Sequence, residues 1–241
     1  MRDLISGFKY ALQGVALLGK PRVRLFVIIP LFINTLLFAG AIYFGASMLS
    51  NFIDSALTGW WEWLRWLLWP IFIVISLTIA FFCFSIIGNL VASPFNGFLA
   101  EAVEIHLTGR QPDETSGLAQ LPGEIRKALV SEARKFLYFA IRALPLILLF
   151  FIPLANFAAP FLWILFGAWM LALEYMDFPM GNHGILFPEL RNSLKSKRPL
   201  AFGFGLGVML MTLIPVFNFM AIPVAVCGAT RMWVERIRVD E

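Results

Sequence analysis

Charge is scarce in this chain. Of its 241 residues only 14% are Asp, Glu, Lys or Arg and 60% are hydrophobic, against about 25% charged and about 45–50% apolar in soluble globular domains. Four windows hold no charged residue at all: Leu25 to Ile53, Trp66 to Ala100, Ala143 to Leu173 and Pro199 to Thr230. Each exceeds the roughly 20 residues that cross a bilayer. A soluble core is excluded, and the composition is that of an all-α integral membrane protein occupying residues 1–241 as a single membrane domain. Cysteine is nearly absent too. Cys83 and Cys227 both lie inside apolar windows, which fits packing or lipid contact better than a disulfide or a metal pair. The two histidines, His106 and His183, have no second ligand type at metal spacing and read as solvated interfacial residues. No G-x-x-x-x-G-K-[ST] loop, H-E-x-x-H or G-x-S-x-G occurs. Catalytic residues, a metal, a cofactor and a nucleic-acid partner are therefore not expected, and the chain is not read as an enzyme.

What is present is organised along the chain by helical periodicity and charge. Leu4, Phe8, Leu12 and Val15 recur at helical spacing, with Arg2, Lys9 and Gln13 on other faces, so residues 2–19 predict an amphipathic interfacial helix. A secretory signal peptide is a poorer reading, because no A-x-A-like cleavage site follows and Lys20-Pro21-Arg22-Val23-Arg24 comes next. Transmembrane helices are predicted over 22–49 and 66–92, with Asp54, Glu62 and the Trp60, Trp61, Trp63, Trp66, Trp69 cluster marking the interface between them. Residues 101–142 carry six basic and six acidic side chains and predict a cytoplasmic or interfacial segment.

The last two apolar windows share one interruption, Ile-Pro-x-x-Asn-Phe, at Ile152 to Phe157 and Ile214 to Phe219. The proline removes a backbone hydrogen bond and the asparagine favours turns and caps. Pro153, Asn156, Pro215 and Asn218 are thus the expected turn residues of two re-entrant, hemipenetrating helical hairpins, 143–173 and 199–230. Their halves, at about 1.5 Å per residue, fall short of the roughly 30 Å hydrocarbon core; a kinked single span is the other reading of each window. With two spans and two hairpins, 18 of 19 Lys and Arg fall on the N-terminal side and only Arg65 on the other. That places both termini in the cytoplasm.

Three polar features stand out. At the start of the first span, Pro21-Arg22-Val23-Arg24 offers two guanidinium groups and helix-start N–H groups, either an oxyanion site or basic residues snorkelling at the interface. Around Pro94-Phe95-Asn96-Gly97 a helix is expected to stop and restart towards Glu101, as a pore mouth or as an ordinary connection. Asn34, Asn89, Asn156 and Asn218 are isolated in apolar windows and serve as interhelical glue or as pathway lining.

The segments PRVRLFVIIPLFIN, SPFNGFLAEAVEIHLTG, NHGILFPELRNSL and AIPVAVCGATRMWVE resemble the CysZ family of bacterial inner-membrane sulfate permeases over nearly the whole chain. The resemblance implies sulfate uptake for cysteine synthesis, and two long transmembrane helices with two hemipenetrating hairpins. The family's sulfate site uses two adjacent arginines at the start of the first long helix. Arg24 matches the first; Leu25 stands at the second, with Arg22 two residues earlier. The family's G-L-L-A-E motif is present as Gly97-Phe98-Leu99-Ala100-Glu101. The expected function is sulfate transport across the bacterial inner membrane, with Arg24, Arg22, Val23 and Leu25 binding the anion and Asn34, Asn89, Asn96, Gly97 and Glu101 lining its path. Sulfate or a related oxyanion, membrane lipid and further copies of the chain are the expected partners. The competing reading is a membrane scaffold or assembly protein that moves no solute.

Overall fold

The computed structural model describes residues 1–56, 62–110 and 121–238, and among these every regular element is a helix. Trp60 and Trp61 lie outside the described residues, as do the side chains of Arg22, Asn34, Asn89, Pro215 and Asn218. The helices are α1 (Arg2–Leu18), α2 (Pro21–Ala56), α3 (Trp63–Thr108), α4 (Leu121–Leu149), α5 (Ala159–Gly181), α6 (Glu189–Ser196), α7 (Arg198–Leu213) and α8 (Pro215–Met232). A short 3₁₀ turn, Ala155–Phe157, precedes α5, and a π-helical turn, Trp233–Ile237, follows α8.

Two units are distinguished, Leu25–Phe95 and a larger one made of Met1–Arg24 with Asn96–Glu241. The first contains most of α2 and α3, helices of 36 and 46 residues, or about 54 and 69 Å at 1.5 Å per residue. Gly45 of α2 faces Phe72 of α3, where an added Cβ would stand 3.4 Å from the ring. The outward side chains are large and apolar: Phe32, Leu36, Phe44, Met48, Trp66 and Val74 are all exposed. Such an apolar surface far exceeds what a soluble monomer leaves in water and is that of a helix facing lipid. The expected interruption at Pro94 is absent, since α3 runs unbroken from Trp63 to Thr108. A proline deletes one backbone bond, and in hydrocarbon continuing the helix satisfies the remaining ones better than unwinding does.

Among the described residues two stretches are long and apolar enough to cross a membrane, Thr35–Ser55 and Ala155–Gly181. The first falls largely within the first predicted span. The second includes one arm of the first predicted hairpin and reaches beyond it to Gly181.

In the larger unit both Ile-Pro-x-x-Asn-Phe sites end a helix. The first lies between α4 and α5, where the chain reverses. Lys135 bonds Asp177, Trp169 donates to Tyr138 and Phe139 stacks on Phe166, three pairs that step inward towards the turn as an antiparallel hairpin requires. The turn passes through Leu154 at φ +70° and ψ −40°, near the strained γ-turn that residues with a Cβ rarely adopt. Asn156 was expected to cap, yet no side-chain bond from it closes the turn among the described residues; its N–H donates to Ile152 O at 3.0 Å. The second break is tighter. Ile214 alone is extended, at φ −93° and ψ 114°, and Pro215 starts α8, where its missing N–H costs nothing.

α1 lies across the α7–α8 pair, its first half on α7 and its second on α8. Its packing face is small: a Cβ on Gly7 would come 2.0 Å from Leu200 O, and one on Gly14 1.9 Å from Val224 O. Helix association in lipid is driven by such close backbone approach. The large stripe of Leu4, Leu12 and Val15 therefore faces outward and is exposed, where a soluble protein would bury it. Polar ties close the same end of the unit. Tyr10 donates to Glu235 at 2.9 Å, Arg236 pairs with Asp3 at 2.9 Å, and Lys197 donates to the Arg236 carbonyl. Desolvation, with the Glu235 carboxylate next, raises the Tyr10 pKa above its ordinary value. Gly14→Ala should lower stability by about 1–3 kcal/mol through overpacking. Gly40→Ala, where nothing lies within 4 Å, should be close to neutral; thermal unfolding in detergent measures both.

Candidate functional site

The C-terminal end of α3 carries Gly97, Glu101, Glu104 and Thr108 at spacings of four, three and four, which puts all four on one helical face. The Gly97 carbonyl accepts a bond from Asn182 Nδ2 at 2.9 Å, just past the end of α5. Glu104 is buried, with 3% of its side chain exposed. His183 Nε2 lies 3.0 and 2.9 Å from its two oxygens, and Arg238 Nη1 donates to Oε1. An ionised carboxylate only accepts, so the imidazole proton that faces it sits on Nε2. The Trp233 ring lies beside His183, with centroids 5.8 Å apart, and its buried Nε1 has no partner among the described residues. The end of α3, the end of α5 and the π-helical turn thus meet around one carboxylate.

This arrangement settles what Glu104 can do. Two cationic or proton-donating groups hold it, so its charge is largely neutralised and is not open to solvent. Glu101, one turn away, is half-buried and remains the acidic side chain of the motif with access to the surface. His183, read from sequence as a solvated interfacial residue, is instead bonded inside the fold. Asn182, His183, Glu104 and Arg238 were all missed as a group. The visible signal was a second acid three residues after Glu101 on a helix whose preceding turns are apolar.

At the start of α2 the expected oxyanion residues are arranged differently from one another. Arg24 is exposed, Leu25 is exposed and Val23 is fully buried. The Val23 and Arg24 N–H groups both donate to Lys20 O at 3.0 Å. Two of the helix-start N–H groups expected to meet an anion are therefore already bonded, because α1 leads into α2 through a turn of only Gly19 and Lys20. The Arg24 guanidinium is exposed and open to solvent at the start of α2. No hydrogen bond or ion pair joins Arg24 to the Gly97–Glu101 segment among the described residues. Asn96 is half-buried.

A second charged cluster ties α4 to α5. Lys135, with 10% of its side chain exposed, lies 2.9, 3.1 and 2.9 Å from Glu132, Glu174 and Asp177. Burial alone would lower its pKa, but the carboxylates of Asp177 and Glu174 outweigh that and hold it above the ordinary lysine value. Because the folded value is raised, this contribution is fully present below about pH 10 and is lost only as pH rises past the folded pKa.

A membrane protein that is all-helical among the described residues, with large apolar side chains exposed on its long helices and a buried carboxylate network in the larger unit, is the class these features define. A family profile described as sulfate transporter CysZ/etoposide-induced protein 2.4 matches residues 10–223. The chain belongs to this family, a transporter family rather than an enzymatic one.

Proposed function

We propose that this protein carries sulfate, or a closely related oxyanion, across the bacterial inner membrane and so supplies sulfur for cysteine biosynthesis. The observation that carries the reading is the family match over residues 10–223. Arg24 is the anion-binding side chain in this proposal, assisted by Arg22. The path then passes Asn34, Asn89, Asn96 and the Gly97–Glu101 segment. Neutralisation of Glu104 by Arg238 and His183 favours anion passage there, since a bare carboxylate would repel a dianion.

Both termini face the cytoplasm in this account, and the two helical pairs enter the bilayer from that side without crossing it. The first tip is suited to hydrocarbon: Phe151, Leu154 and Phe157 are exposed, Leu154 at 85%, with no charge nearby in sequence. A membrane-impermeant thiol reagent should fail to label Leu154→Cys from either side of sealed vesicles and label it after detergent; labelling from the periplasmic side would mean that the pair spans. Half-crossing pairs expose turns that neighbouring copies would cover, which favours a homo-oligomer.

Energetics limits the transport mode, and proton coupling would lift the limit that follows. Moving one charge against 100 mV takes about 2.3 kcal/mol, so a dianion entering a negative interior faces about 4.6 kcal/mol, or about three orders of magnitude in concentration. Passive entry then runs only while metabolism keeps internal sulfate low. Labelled-sulfate uptake by proteoliposomes tests the proposal, and uptake no greater than in protein-free liposomes would favour the scaffold reading.

A further inference from the structure

Apart from the network at Glu104, the larger unit contains a cavity of about 280 Å³ between α4, α5, α6 and the start of α7, lined by Tyr138, Arg142, Trp169, Lys195, Arg198 and Phe202 among others. Its chemistry is divided. One wall is basic, and among the described residues no carboxylate pairs with Arg142, Lys195 or Arg198. Arg142 instead lies over the Tyr138 ring, 3.9 Å from its centroid. Arg191, on α6, faces the Tyr138 and Phe187 rings at 5.5 and 5.6 Å, and its buried Nε has no hydrogen-bond partner; its Nη2 donates to Asn192. Repulsion from Arg191, followed by desolvation and then by Arg198 and Arg142, lowers the Lys195 pKa below its ordinary value. The carboxylates of the neighbouring cluster contact Lys135 and none of them lines the cavity.

The other wall is apolar and aromatic, made by α5 and α7, and it continues into exposed apolar surface at Leu165 and Leu162. A cluster of cations with no carboxylate beside it attracts an anion, and a free inorganic anion would gain nothing from the aromatic wall. We infer that this cavity binds the phosphate headgroup of an anionic phospholipid, with Lys195, Arg198 and Arg142 on the phosphate and the acyl chains lying along the α5 face. Basic cavities between membrane helices on the cytoplasmic side suit this role. The site is separate from Arg24 and does not depend on which solute, if any, the protein transports.

The test is thermal unfolding of the delipidated full chain carrying Arg24→Ala, which removes the oxyanion site proposed above, in detergent with phosphatidylglycerol, phosphatidylcholine, glycerol phosphate or sulfate added in turn. Phosphatidylglycerol should raise the melting temperature and the other three should not. The double variant Lys195→Gln/Arg198→Gln removes two exposed or half-exposed cations without touching the packed core. It should keep the lipid-free melting temperature and bind phosphatidylglycerol about 25-fold more weakly, at about fivefold per cation near an anionic headgroup. Equal shifts from phosphatidylcholine, equal shifts from glycerol phosphate or sulfate, or an undiminished phosphatidylglycerol shift in the double variant would each overturn the assignment. The first would indicate a generic detergent-like effect, and the second a site for small oxyanions.

Discussion

Replacing His183 and Arg238 together by alanine should destabilise the fold by about 3–5 kcal/mol, because it leaves the Glu104 carboxylate buried with no compensating partner. The stronger expectation concerns the triple variant. Adding Glu104→Met to that pair removes the stranded charge and fills a similar volume with apolar atoms, and replacement of a buried ionic group by a hydrophobic one is often neutral or stabilising. Most of the lost stability should return. Arg238 is half-exposed, at 48%, so its single removal should cost less than the double. Thermal or denaturant unfolding in detergent reads all three variants. A triple variant no more stable than the double would show that His183 and Arg238 act through packing, for instance of Trp233, and not by compensating Glu104.

The other large effect is expected at Arg24. A charge-assisted hydrogen bond contributes about 1.5–3 kcal/mol, so Arg24→Ala should weaken sulfate binding about 10- to 100-fold while leaving unfolding unchanged, given that its side chain is exposed. Arg24→Lys should recover part of the affinity, because it keeps the charge and loses the planar fork that meets two oxyanion oxygens at once. Arg22→Ala, measured alongside, decides whether that residue takes the place of the second arginine that Leu25 does not supply. Equilibrium binding of labelled sulfate to purified protein gives the values. Unchanged affinity in Arg24→Ala would remove the helix-start site from the account.

The class of fold was legible in the sequence because lipid imposes a rule that composition records directly: long uncharged windows become helices, since no other spanning structure satisfies the backbone without paired strands. The two Ile-Pro-x-x-Asn-Phe interruptions were legible for a similarly local reason, and both end a helix. What local chemistry did not show was how each break is made. The first uses the left-handed Leu154 and the second a single extended residue, Ile214, with no asparagine cap in the first. Pro94 misled in the opposite direction. It has the same breaker signature as Pro153, yet α3 passes through it, and only the neighbouring turns distinguish the two. The packing face of α1 was not legible, because the amphipathic pattern of Leu4, Leu12 and Val15 marks the side turned to lipid and says nothing of the small residues that meet the fold. Glycine contacts such as Gly14 against Val224 decide it here.

Of the candidate residues, Gly97 and Glu101 were singled out by motif; in the structure Asn182 bonds the Gly97 carbonyl, while His183 and Arg238 hold Glu104 on the same helical face. Asn182, His183, Glu104 and Arg238 come from three separated parts of the chain, up to 134 residues apart in the case of Glu104 and Arg238. Charge pairing at that range leaves no periodicity to read. The Arg24 region was singled out by residue type and position, and its two bonded N–H groups could not be foreseen without the short turn that delivers α1 to α2.

The most direct test of the central claim is labelled-sulfate uptake into proteoliposomes containing the wild-type chain or Arg24→Ala, with and without an imposed membrane potential. Passage of a sulfate dianion predicts uptake above protein-free liposomes that depends on Arg24, rises with an inside-positive potential and falls with an inside-negative one. Wild-type uptake at the protein-free level, with the protein verified as folded, would contradict it.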